Sequence, residues 1–295
     1  MAGTVHADIV DDMRLRYGEY RDTVSQTSLP FVLESREEGK TISAQISTFM
    51  QGIAFRSFAE RLSDASQWCE FIPLHLNVKA CRHGYRDGRE MLGFFLGPKR
   101  YRTPEKSSLL ELQFETEVSD ELLEVVLFAA KGPYRSRNHD YRLRAIGTDD
   151  GVYMEFDLSS EPGWVSSLAR IYLATVGLRK TGFSVDRLDL QTGKAVHVRG
   201  RRGGIERNIV RYLFSIQAYF DTLDQEHRPD IHLQRLERWF ELSARHPQLY
   251  EMPKDAYIEI KTRERHNQLL LRSTSPNATS QSAADSGCYM SSSGR

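Results

Sequence analysis

The stretch GRRGGIERNIVRYLFSIQAYF, Gly200–Phe220, decides how this chain is read. A basic, glycine-rich segment runs into an aromatic-rich helical pattern. A Walker-type phosphate loop needs G-x-x-x-x-G-K-[ST] after a strand. Gly200, Gly203 and Gly204 are followed by no such Lys-Ser/Thr pair, so that reading fails. A dinucleotide fingerprint needs a parallel strand-helix-strand unit, and the flanking segments read as antiparallel. Arg199, Arg201, Arg202, Arg207 and Arg211 leave an RNA-binding turn open. The plainer reading has the glycines turning the chain and the arginines solvating the turn. The expectation is a turn at Gly204 and one helix over 205–223.

At about 100° per residue, Ile205, Ile209, Tyr212, Leu213, Ile216, Tyr219, Phe220 and Leu223 make one wide apolar stripe. Val210 and Phe214 fall on the opposite side, so the helix must be enclosed. Asn208, Tyr212, Ser215 and Tyr219 edge the stripe with amide and hydroxyl groups. They read either as satisfied core polar groups or as the lining of a ligand cavity.

Upstream the chain reads as strands. Segment 41–50 alternates apolar and polar residues, and 54–72 carries two short helices, the second capped by Asp64. Segment 74–81, LHLNVKAC, alternates strictly, with His75, Asn77, Lys79 and Cys81 sharing one face. Segments 90–97, 108–118, 121–132, 141–146 and 151–160 follow, joined by short turns, which implies an antiparallel sheet. A helix over 164–177 and a hairpin about 191–193 precede the opening stretch. Two further helical segments follow it. The organisation predicted is an extension over 1–33, a domain over 34–225, a helical extension over 226–271, and a Ser-rich disordered tail over 272–295.

Composition excludes some classes. The 295 residues hold 40 Lys+Arg and 40 Asp+Glu, a net charge of zero, so nothing pulls the whole chain toward nucleic acid or anionic membrane. No run approaches the ~20 apolar residues that span a bilayer. The N-terminus shows no apolar signal region, and a cytoplasmic location is expected by default. Of three cysteines, Cys288 lies in the tail. Cys69 and Cys81 are expected to be spatial neighbours and reduced, buried thiols, with a structural disulfide as the alternative. No C-x-x-C or fourth ligand accompanies His75, so no metal or cofactor is expected.

A strand, two short helices, a long antiparallel sheet and a final enclosed helix is the order of the helix-grip fold. On WCEFIPLHLNVKAC at 68–81, GPYRSRNHDYRL at 132–143, YLATVGLRKTGF at 172–183 and RGGIERNIVRYLFSIQAYF at 202–220, the chain resembles the START-like superfamily, also called SRPBCC or polyketide cyclase-like. More narrowly it resembles an uncharacterised bacterial family within it. The resemblance implies an α+β fold in which a curved antiparallel sheet wraps a long C-terminal helix, here with extra C-terminal helices. It also implies relatives that begin with an export signal, which leaves export open as an alternative location.

Two functions follow. One is binding of an apolar small molecule or lipid between sheet and helix, by Asn208, Tyr212, Ser215, Tyr219, His75 and Asn77. The other is an acid-base enzyme of the cyclase type, pairing His75 with Glu206. The plainer role of Glu206, Arg207 and Asn208 is to fasten the start of the helix to the sheet. No nucleic-acid partner is expected.

Overall fold

The computed structural model describes residues 2–163, 180–189 and 191–274. The helix expected over 164–177 lies outside these residues, as does the tail beyond 274. The fold is α+β. Its frame is one curved sheet of eight antiparallel strands in the order β1-β2-β8-β7-β6-β5-β4-β3. The strands are β1 (Phe31–Glu38), β2 (Thr41–Gln51), β3 (Val78–Arg86), β4 (Arg89–Leu96), β5 (Ser108–Val118), β6 (Leu122–Lys131), β7 (Arg137–Thr148) and β8 (Gly151–Glu161). From β3 on, each strand pairs with the next in sequence; β4 and β5 are joined by a longer loop over 97–107, the others by turns of two to five residues. Between β3 and β4, Asp87 and Gly88 take φ of 52° and 74°. Paired left-handed residues give the turn a twist that matches the strands it joins.

Between β2 and β3 the chain makes two helices, α2 (Phe55–Ser63) and α3 (Ala65–Phe71). Asp64 caps α3 as expected, its side chain accepting the Ser66 N–H at 2.8 Å. The N-terminal helix α1 (Ala2–Ser25) lies on the outer face of the sheet. Val10, Met13 and Tyr20 there pack on Leu122, Ile146 and Tyr153, a second core separate from the main one. The segment expected to stand outside the core therefore covers the sheet, and β1 begins at Phe31, inside the expected extension.

The long helix is α4 (Gly200–Phe220), and it is enclosed as expected. Ile209, Leu213, Phe214, Ile216 and Phe220 are all buried, facing β2, β1 and β8 on one side and α5 (Ile231–Ala244) on the other. Its start differs from the expectation. The glycines lie in the first helical turn, not in a loop: Gly200 enters it at φ 65°, and at Gly203 the turn packs on the backbone of Gly182 and Val198. A Cβ on Gly203 would come within 3.1 Å of the Val198 carbonyl and the Gly182 N–H. The glycine thus answers a close approach of backbones rather than a bend.

The last helix among the described residues, α6 (Lys254–Thr274), lies along β3, an edge of the sheet. Gln268 accepts the Cys81 N–H at 3.0 Å and donates to the Cys69 carbonyl at 2.8 Å. Lys261 Nζ donates to the Val78 carbonyl at 2.6 Å. Side chains of a helix here take groups of the edge strand that no further strand pairs. Lys79, Lys261 and Glu264 form a buried triad at the same seam, with Nζ–carboxylate distances of 3.0 and 2.6 Å.

Cys69 and Cys81 are neighbours, as expected, but they are bonded to each other, with Cα atoms 5.0 Å apart. This corrects the expectation of reduced thiols. Gln268 holds the two backbones together, which puts the side chains within bonding range. Among the described residues no helix is long and apolar enough to cross a membrane.

Candidate functional site

Segment 74–81 is not one strand. Pro73 opens a 3-10 turn over Ile72–Leu74, and β3 starts only at Val78. The alternation misleads because this segment is buried all round, sealed by the sheet, α4 and α6. His75, Asn77 and Lys79 therefore do not share a strand face. Lys79 joins the buried triad. The Asn77 amide donates to the Gly97 carbonyl at 2.9 Å, tying the segment to the loop after β4.

His75 turns toward the long helix. Its ring is fully buried and stacks on Tyr212, with centroids 4.5 Å apart at 28°. Nδ1 accepts the Asn77 N–H at 3.0 Å. In a neutral imidazole the proton must then sit on Nε2, an assignment made from that hydrogen bond. Burial pushes the imidazole well below its ordinary pKa, and the charges of Arg211 and Lys261 add to this, so the ring is neutral at pH 7. The Asn208 amide on α4 faces the ring and favours its charged form. It does not reach hydrogen-bond geometry, and Nε2 has no partner among the described residues. A buried donor without an acceptor costs about 1–3 kcal/mol.

Around this donor the walls are aromatic. Tyr141 of β7 stands 6.2 Å from Tyr212 and Phe156 of β8 stands 6.4 Å from it, ring to ring. Burial raises the pKa of both tyrosines, so both phenols stay protonated. His139 lies beyond Tyr141 at 6.4 Å, with Nε2 bonded to the Ser136 hydroxyl at 2.8 Å and Nδ1 unpartnered. The turn leading to it holds Tyr134, Arg135 and Asn138 at φ of 57°, 63° and 49°. Left-handed non-glycine residues are strained, and such strain gathers at functional sites.

The structure thus brings together His75, Asn208 and Tyr212. It does not bring Ser215, Tyr219 or the Asn77 side chain to them, and Asn77 meets His75 only through its backbone N–H. The Ser215 hydroxyl donates to the Arg211 carbonyl of its own helix at 3.0 Å. The Tyr219 hydroxyl donates to Gln67 on α3 at 2.8 Å, toward the far end of α4. Glu206 is fully occupied elsewhere. Its carboxylate accepts from the Ser35 hydroxyl at 2.5 Å and from the N–H groups of Phe183 and Ser184 at 2.6 and 3.0 Å. Arg207 donates to the carbonyls of Lys180 and Thr181. These two residues fasten the start of the helix. Sequence reasoning missed Tyr141 and His139. The signal was present in the alternation of His139, Tyr141, Leu143 and Ala145, the residues of β7 that turn inward.

An eight-stranded antiparallel sheet, two helices inserted between its second and third strands, and a long helix held on its inner face are now established. This arrangement is a helix-grip fold. No protein-family model matches the chain, and no curated protein does. Among solved structures, human STARD10 is similar at 8% identity, covering 81% of this chain and 91% of its own, with a TM-score of 0.37. The Helicobacter pylori hypothetical protein jhp0584 is similar at 16% identity over 59% of this chain and 85% of its own, TM-score 0.36. A START superfamily protein from Mycobacterium smegmatis is similar at 16% identity over 48% and 90%, TM-score 0.29. Scores this low carry nothing about ligand or chemistry. Within this frame the site is defined by its own residues.

Proposed function

We propose that this chain binds an apolar small molecule or lipid beside α4, with a hydrogen-bond acceptor on the ligand meeting His75 Nε2–H. Asn208, Tyr212 and Tyr141 border that polar end. The observation that carries the reading is the buried, neutral His75 with its donor unpartnered in an aromatic wall. Apolar walls with a few convergent polar groups are the usual make-up of small-molecule sites.

The acid-base alternative loses its proposed partner, since Glu206 is committed to Ser35 and two backbone amides. A nucleic-acid partner is not proposed, because 40 basic and 40 acidic residues cancel. Submicromolar filter binding at physiological salt would overturn that part.

The test is native mass spectrometry of freshly purified protein, with uptake of a fluorescent fatty acid measured in parallel. Asn208→Ala and Tyr212→Phe are expected to weaken uptake while stability changes little. If both instead lower stability by about 1–3 kcal/mol, and the unaltered protein takes up no probe, the region is a solid core and the reading fails.

A further inference from the structure

The zero net charge of the chain conceals a local surplus. The loop between β4 and β5, GPKRYRTPEKS over 97–107, holds Lys99, Arg100, Arg102 and Lys106 against one carboxylate, Glu105. Arg100 and Lys106 are exposed. Like charges this close repel, and such a loop should splay into solvent unless something holds it.

Several contacts hold it. The Gly97 N–H donates to the Asn77 carbonyl at 2.8 Å, and the Asn77 amide donates to the Gly97 carbonyl at 2.9 Å. The Tyr101 hydroxyl accepts from the Asn267 amide of α6 at 3.0 Å, and the Arg263 guanidinium lies over its ring, 3.9 Å from the centroid. A cation over an aromatic face is attracted by the ring quadrupole. Lys99 reaches Glu251 at 2.5 Å, a carboxylate that Lys180 also meets at 3.2 Å.

The loop is thereby drawn against α6, and the charges around it join its own. The Arg263 side chain is 55% exposed and meets Glu259 at 3.7 Å. This corner carries Lys99, Arg100, Arg102, Lys106, Lys180 and Arg263 against Glu105, Glu251 and Glu259, a surplus of three positive charges. Leu270, on the side of α6 that carries Arg263, is 52% exposed. Anionic headgroups present a plane of negative charge that attracts basic residues within about a Debye length. Single-stranded nucleic acid instead needs open aromatic faces along a basic groove, and the one aromatic ring of this loop lies under Arg263.

From the surplus charge and the contacts that fix it we infer that the loop over 97–107 and the adjoining side of α6 dock on an anionic bilayer surface. The loop is tied to Asn77, so a docked chain sets the segment that carries His75 beside the bilayer. The docking goes beyond the apolar-ligand reading and does not need it.

The test is co-sedimentation of the full chain with vesicles of phosphatidylcholine alone and with about 30% phosphatidylglycerol, in about 0.1 M salt. Each surplus charge is worth roughly fivefold near an anionic surface. Roughly a hundredfold preference for the anionic vesicles is therefore expected, lost in about 0.5 M salt. Arg100→Glu/Lys106→Glu reverses two exposed charges and should abolish the preference. Arg36→Glu/Arg56→Glu makes the same change of net charge on exposed side chains elsewhere and should keep it. Should the first variant fail to fold, Arg100→Gln/Lys106→Gln takes its place, with about a twentyfold weakening expected. Uptake of the fluorescent fatty acid should be the same in the loop variant as in the unaltered protein, which separates loss of docking from loss of the apolar site. Equal sedimentation with both kinds of vesicle, or equal weakening by the two charge-reversed variants, would overturn the inference. So would displacement from the vesicles by about 1 mM glycerol phosphate, which marks a site for a free anion, or tighter binding of a single-stranded RNA oligomer than of the vesicles.

Discussion

Replacing Glu264 by Gln tests whether α6 is part of the domain or an appendage to it. Glu264 is 1% exposed and faces two ammonium groups, Lys79 Nζ at 3.0 Å and Lys261 Nζ at 2.6 Å, both on buried side chains. Removing the carboxylate leaves two buried cations. Their remaining partners are carbonyls: Leu76 for Lys79, and Val78 and His75 for Lys261. Breaking a buried ion pair from one side costs about 3–5 kcal/mol. The Gln carbonyl still accepts one hydrogen bond, so the lower end, about 3 kcal/mol, is expected.

The pH dependence has a definite sign. Burial lowers the Lys79 pKa from 10.5 to about 8, with the charge of Lys261 adding to it and Glu264 opposing it. Burial likewise lowers that of Lys261, again against Glu264. Without Glu264 both fall further, and the folded variant releases its protons before the unaltered protein does. The variant's deficit must therefore shrink as pH rises toward and through about 8. Urea unfolding at about pH 6 and about pH 9 measures it. A deficit below about 1 kcal/mol at the lower pH, the worth of a surface pair, would refute the buried-triad reasoning. So would a deficit that grows with pH.

Phe220→Ala should cost about 3–5 kcal/mol by urea unfolding, since its ring is buried and stacks on Phe58 at 4.7 Å; a loss under about 0.5 kcal/mol would contradict the enclosed helix. His75 has a folded pKa well below 6.5, so the unfolded chain takes up its proton first and stability falls as pH drops through 6.5. His75→Gln should show a shallower decline over the same range, and parallel slopes would mean that His75 is not buried neutral. Thiol counting under denaturing conditions without reductant should find one free thiol among the three cysteines. Three would show Cys69 and Cys81 reduced in the isolated protein.

What could be read from sequence follows from how each element is solvated. Strands β5 to β7 are at least partly wet on one side along much of their length, so their alternation is plain. Asp64 has a cap's local chemistry, and its role needs no tertiary context. Strand β1 was hidden because FVLESREE is an edge strand with only Phe31 and Ser35 buried. Segment 74–81 failed for the opposite reason: burial on every side removes the contrast that periodicity needs. The site divided in the same way. Tyr212 and Asn208 were reachable from the helical stripe, whereas Tyr141 and the orientation of His75 depend on pairing across the sheet. Ser215 looked like a lining residue because its hydroxyl bond to the preceding turn is invisible in a stripe.

The seam between α6 and β3 bears on how the chain is made. Helix α6, made long after the sheet, supplies Gln268 and Lys261, which close the groups left open along a strand finished nearly two hundred residues earlier. Until then the sheet displays a bare rim to any other extended peptide in reach. A chain shortened before Lys254 would keep the sheet and the long helix and still carry that adhesive rim. Such a fragment would pair rim to rim with its own copies, so the helical extension cannot be trimmed away as a spare part.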